Sequence, residues 1–204
     1  MTQKRPSLTP LQIELRQAME DWGCPLCRLS QRAEHAFVES LNYERVLDLS
    51  TRDALKASRG RCEAHSRDWR QVQGSALGIA IVYRVTLLDL LRDTSGLEEA
   101  QDSFLGLGRR DLARKAAEAL EAETKCPACQ VGQDTAERFA DLLLEGLGDG
   151  DFRTLLRDCG GLCLPHLRMT LNRRVARQRA AILIDLHRRA WRTLMRELEE
   201  FVRK

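Results

Sequence analysis

Cys24-Pro25-Leu26-Cys27 with Gly60-Arg61-Cys62-Glu63-Ala64-His65, and Cys126-Pro127-Ala128-Cys129 with Gly161-Leu162-Cys163-Leu164-Pro165-His166, are one pattern written twice in a chain of 204 residues. The second and third cysteines are separated by 34 residues in the first copy and 33 in the second. Six of the seven cysteines and two of the four histidines fall in this pattern, so a chance origin is a poor explanation. Three thiolates and one imidazole are a ligand set for a tetrahedral structural zinc. The pattern therefore predicts two Zn²⁺ per chain, with Cys24, Cys27, Cys62, His65, Cys126, Cys129, Cys163 and His166 as ligands. Pairing within each copy is the simpler arrangement, joining helix starts about 35 residues apart, but a duplicated bundle could also cross its ligands.

The residues around the ligands fit this reading. Pro25 and Pro127 suit early helical positions, where the missing N–H costs nothing. Cys62 and His65, like Cys163 and His166, are three residues apart and share one helix face. Ligands at helix N-termini meet a positive dipole end, which suits a cluster of net charge −1 and aids thiol deprotonation. Gly60 and Gly161 let the chain turn into the following helix.

Outside the motifs the periodicity is helical and no segment alternates as a strand does. Helices are expected from Thr9-Pro10 to Asp21, Cys27 to Leu49, Thr51 to Ser58, Cys62 to before Gly74, and Ala76 to Asp93. After a glycine-bearing linker the order recurs: Arg110 to Glu123, Cys129 to Gly146, a short helix to Asp158, one from Cys163, and a long one over Arg173 to Arg203. The expectation is an all-α, internally duplicated helical bundle with about five helices per repeat and two metal sites. Its parts are a first repeat at 8–93, a linker at 94–108 and a second repeat at 109–204, which can pack as one pseudo-symmetric domain.

Composition narrows the function. Hydrophobic residues are 43% and charged residues 31%, as in an ordinary globular protein, and the net charge of +3 gives no general drive toward nucleic acid or anionic membrane. No apolar signal segment follows Met1, and the stretch Leu77 to Leu91 is too short to span a bilayer. A cytoplasmic protein is expected, where cysteine pairs mean metal more often than disulfide. Nucleophile elbow, phosphate loop and dinucleotide fingerprint are all missing. Four protein ligands also leave no position for substrate, so the reading is a non-catalytic binding or adaptor protein with an unknown protein partner.

Two alternatives stay open. The Cys-Pro-x-Cys pairs could be redox-active or, with Cys62, His65, Cys163 and His166, hold iron–sulfur clusters. Arg173, Arg174, Arg177, Arg179, Arg188, Arg189 and Arg192 could form a basic face for nucleic acid, although aromatic interleaving is lacking. Cys159 reads as a small buried hydrophobe, and His35 and His187 read as unremarkable helix residues. Glu34, Glu39, Glu137 and Asp141 read as solvated helix faces, while Trp22 and Trp69 could pack around the first site.

The twin motifs resemble an uncharacterised bacterial family carrying Cys-Pro-x-Cys and Gly-x-Cys-x-x-His twice in about 200 residues. The run Phe152-Arg153-Thr154-Leu155-Leu156 through Gly161-Leu162-Cys163-Leu164-Pro165-His166 is closest to its pattern. The similarity covers about Leu15 to Leu171, and the first copy departs at Arg61 and Glu63-Ala64. The resemblance implies the architecture and the metal ligands and brings no activity with it.

Overall fold

The structure, a computed structural model, describes residues 8–42, 48–95, 97 and 107–204. Among these there are ten helices and no strand. They are α1 (Pro10–Ala18), α2 (Pro25–Ser40), α3 (Leu49–Ala57), α4 (Glu63–Gln71) and α5 (Ser75–Asp93). Then come α6 (Leu107–Leu120), α7 (Pro127–Gly146), α8 (Gly150–Asp158), α9 (Leu164–Leu171) and α10 (Arg177–Arg203). The all-helical expectation holds. The expected linker at 94–108 lies mostly outside the described residues, and α6 begins at Leu107, ahead of the expected Arg110.

Local chemistry sets the helix starts. Thr9 accepts the Gln12 N–H while the Gln12 side chain accepts the Thr9 N–H, a capping box ahead of Pro10. Asp48 caps α3 and Asp149 caps α8. α2 ends at Ser40, short of the expected Leu49; residues 43–47 lie outside the described residues, and Asp48 opens α3.

The chain divides into two compact units, and they interleave the sequence halves. One unit is Met1–Ala33 with Gly132–Lys204; the other is Glu34–Val131. The first unit packs Leu15, Leu26, Leu29, Phe139, Leu143, Leu147, Phe152, Leu156 and Leu183 into one apolar core. Arg16 reaches Asp149 at 2.7 Å and ties α1 to the start of α8.

The second unit has a smaller core of Val38, Leu41, Leu55, Trp69, Val82, Cys126 and Ala128. Its longest helix, α5, is packed through small and polar side chains. Ser75, Gly78, Val82, Thr86 and Asp89 are buried, while Leu77, Leu87, Leu88 and Leu91 are exposed. The Asp89 carboxylate is held by Lys56 at 3.5 Å and by Arg92.

Candidate metal centres

The eight motif residues gather into two groups of four, each within one unit. Cys24, Cys27, Cys163 and His166 form the first, and Cys62, His65, Cys126 and Cys129 form the second. In each group the ligand atoms lie within 4.8 Å of one another. Each takes its Cys-Pro-x-Cys from one half of the sequence and its Cys-x-x-His from the other. The simpler pairing within each copy is therefore corrected: the Cys27–Cys163 partners lie 136 residues apart and the Cys62–Cys129 partners 67.

All eight residues sit at helix starts. Cys62 and Cys163 are the N-cap residues of α4 and α9, and neither side chain caps its helix, so both thiols are free to turn into their clusters. Cys24 and Cys126 immediately precede α2 and α7. Backbone bonds hold the two segments of each cluster together. Gly23 N–H donates to Cys159 O at 2.7 Å beside the first, and Glu123 N–H donates to Ala57 O at 2.8 Å beside the second. Gly60 and Gly161, with φ of 99° and 76°, make the left-handed turn that delivers the third cysteine.

Four of the six donor–donor spacings in each cluster lie within a few tenths of an ångström of tetrahedral values. Sγ of Cys27 and Cys163 are 3.6 Å apart, as are those of Cys62 and Cys129. His166 Nδ1 lies 3.5, 3.2 and 3.2 Å from the sulfurs of Cys24, Cys27 and Cys163. His65 Nδ1 lies 3.2, 3.4 and 3.7 Å from those of Cys62, Cys129 and Cys126. Zinc–ligand bonds of about 2.3 Å to sulfur and about 2.0 Å to nitrogen put tetrahedral neighbours roughly 3.5–3.8 Å apart.

Electrostatics point the same way. Burial and the neighbouring thiols push Cys27 and Cys129 up to about 12, and burial also raises Cys24. Burial likewise pushes Cys126 up, but N–H donors from Cys129, Cys62 and Ala128, with His65, outweigh it, and the net shift is downward. Burial lowers His166, favouring the neutral ring a metal requires. Three clustered thiols resist joint ionisation unless a cation joins them.

Arg61 tests the fit independently. Its guanidinium lies 3.5 Å over the Trp69 ring, and all three nitrogens are buried without a hydrogen-bond partner among the described residues. Burial lowers it to about 10, opposed by Tyr83, Cys126 and Cys62. A buried cation without a counter-charge is costly. Three thiolates around a dication carry a net −1 beside it and supply that charge, so these residues fit a metal.

Several sequence readings change. Glu34, expected on a solvated face, places its carboxylate 3.3 Å from His65 Nε2 and can orient that ring from behind. Glu137 and Asp141 pair with Arg173, removing one arginine from the expected basic face. His187, expected to be unremarkable, is buried: it accepts the Leu162 N–H at Nε2 and donates from Nδ1 to Leu183 O, both at 2.8 Å. The signal that could have found it is its place on the apolar stripe of the last helix. Trp69 lies at the second cluster rather than the first, fully buried under Arg61. Trp22 is 80% exposed, with its ring edge against Gly160. Cys159 is buried in the first core with its thiol directed at Leu156 O, matching its reading as a small hydrophobe.

No described helix is long and apolar enough to cross a membrane. No curated protein and no solved structure matches the chain. The family model that does match covers residues 9–204, and the chain belongs to this family of unknown function, DUF6062.

Proposed function

We propose that the protein binds two structural zinc ions and serves as a non-catalytic, cytoplasmic binding or adaptor protein. The observation that carries this reading is the closure of each ligand set: four protein donors within 4.8 Å of one another, twice, a set that fills a four-coordinate zinc and leaves it no position for substrate. When bound, the metal clamps two helix N-termini that are distant in sequence. Cys24, Cys27, Cys163 and His166 would hold one ion and Cys62, His65, Cys126 and Cys129 the other. Glu34 and Arg61 orient and balance the second. The recurrence of the five-helix order from α1–α5 in α6–α10 supports an origin by duplication, with ligands exchanged between the copies.

Metal analysis of protein purified without a tag tests the reading. About two zinc per chain is expected for two closed sites, and less than one of any metal contradicts it. A brown protein with sulfide-dependent absorption would assign the same ligands to iron–sulfur clusters.

The redox reading has one observation in its favour. The 3.6 Å sulfur contacts pair Cys27 with Cys163 and Cys62 with Cys129, so these would be the disulfides formed on oxidation with loss of the metal. Disulfides within the Cys-Pro-x-Cys pairs, Cys24–Cys27 and Cys126–Cys129, are the competing products, since those sulfurs lie in the same clusters. Mass mapping after peroxide treatment separates the two sets.

A further inference from the structure

α10 runs for 27 residues, about 40 Å, and only Leu183 and His187 of it are buried. From Trp191 to Lys204 every residue is exposed. Yet the apolar stripe that docks Leu183 into the first core does not stop there. Trp191, Leu194, Met195, Leu198, Phe201 and Val202 continue it at intervals of three and one, a face about 120° wide. Their exposures run from 46% at Trp191 to 83% at Val202. Three turns of amphipathic helix therefore carry a core-type face into solvent.

We propose that this face pairs antiparallel with the same face of a second copy of the chain. The charges select that occupant. Arg188, Arg189, Arg192 and Arg196 precede Glu197, Glu199 and Glu200 along the segment. Arg192 has no carboxylate partner in its own chain among the described residues, and Glu199 has only a long 3.9 Å contact with Arg203. Arg192 and Glu199 lie on the same flank of the stripe, seven residues apart. An antiparallel two-fold pair sets Arg192 of each copy across from Glu199 of the other. Within one residue of that register, Trp191 is level with Phe201 and Leu194 with Leu198 across the pair.

A two-fold interface must be self-complementary, and this segment is. Six such side chains offer on the order of 100 Å² each, so two copies reach the ~1,000 Å² that a specific interface clears. A membrane surface is the poorer occupant, because an interfacial helix carries a continuous basic face and here Glu197, Glu199 and Glu200 interrupt the arginines beside the stripe. This inference is independent of the metal reading.

Sedimentation equilibrium of the full chain tests it. The wild type should form a concentration-dependent dimer. Leu198→Glu, on an exposed site where folding is not at stake, should weaken it by roughly tenfold or more. Arg192→Glu and Glu199→Arg should each weaken the dimer, and the double variant should recover it. Three results overturn the proposal: a monomeric wild type, a Leu198→Glu chain as dimeric as the wild type, or a double variant no better than the singles. A monomer that co-floats with phosphatidylglycerol vesicles also overturns it and assigns the face to lipid.

Discussion

Arg61 and Glu34 make the two clusters unequal. The second has a guanidinium over Trp69 and a carboxylate behind His65. At the first, the residue in the place of Arg61 is Leu162, whose N–H goes to His187. Arg61→Met keeps the stacking bulk and removes the charge. It should lower zinc affinity at the second site by about 10–100-fold, read by chelator competition, and leave the first site as it was. Equal loss at both sites would mean that the charge acts generally. The thiols add a pH signature. In the metal-free chain Cys27 and Cys129 lie near 12, above the ordinary 9, so the stability they contribute is present below pH 9 and lost as pH rises toward 12. In the metal-loaded chain the thiols are already ionised, and protons displace the metal as pH falls. Melting temperatures should therefore fall in alkali for metal-free protein and in acid for loaded protein; identical profiles would contradict this. All eight members of the two Cys/His clusters could be named from spacing alone. Arg61 and Glu34 could not, because their roles come from contacts made across the fold.

At the scale of elements, the helix starts were legible and the buried faces less so. Thr9-Pro10, the two Cys-Pro steps and the glycines before Cys62 and Cys163 each carry a local reason to begin a helix or turn, and each does so. α5 shows the limit. Its apolar composition marks a helix, but its packed side is the Ser75, Gly78, Thr86 and Asp89 side, which hydropathy cannot choose. α10 shows another, since His187 looks like one more polar residue among arginines. A Cβ on Gly161 would sit 2.8 Å from His187 Nε2, and φ there is 76°. The turn into α9 is thus shaped by both residues. Gly161→Ala should cost about 1–3 kcal/mol in stability. His187→Ala should cost about 2–4 kcal/mol, from a cavity plus an orphaned Leu162 N–H. Denaturant melts check both, and a loss under half a kcal/mol in either would mean that the turn is held elsewhere.

At the scale of the whole molecule, the repeat predicted two metal sites but left their wiring open. Local sequence favours pairing within a copy; the fold instead closes each site with ligands from both halves, inside units that interleave the chain. That choice rests on tertiary packing, to which motif spacing is blind. Counting metal by native mass spectrometry in two double variants distinguishes two closed four-ligand zinc sites wired across the halves from sites built within each half. Cys27→Ser with Cys163→Ser removes two ligands from one crossed site and should leave one tightly held zinc per chain. Cys27→Ser with Cys62→Ser strikes both crossed sites and should leave none that survives a chelator. The reverse result, one zinc kept by the Cys27/Cys62 variant and none by the Cys27/Cys163 variant, would contradict the account.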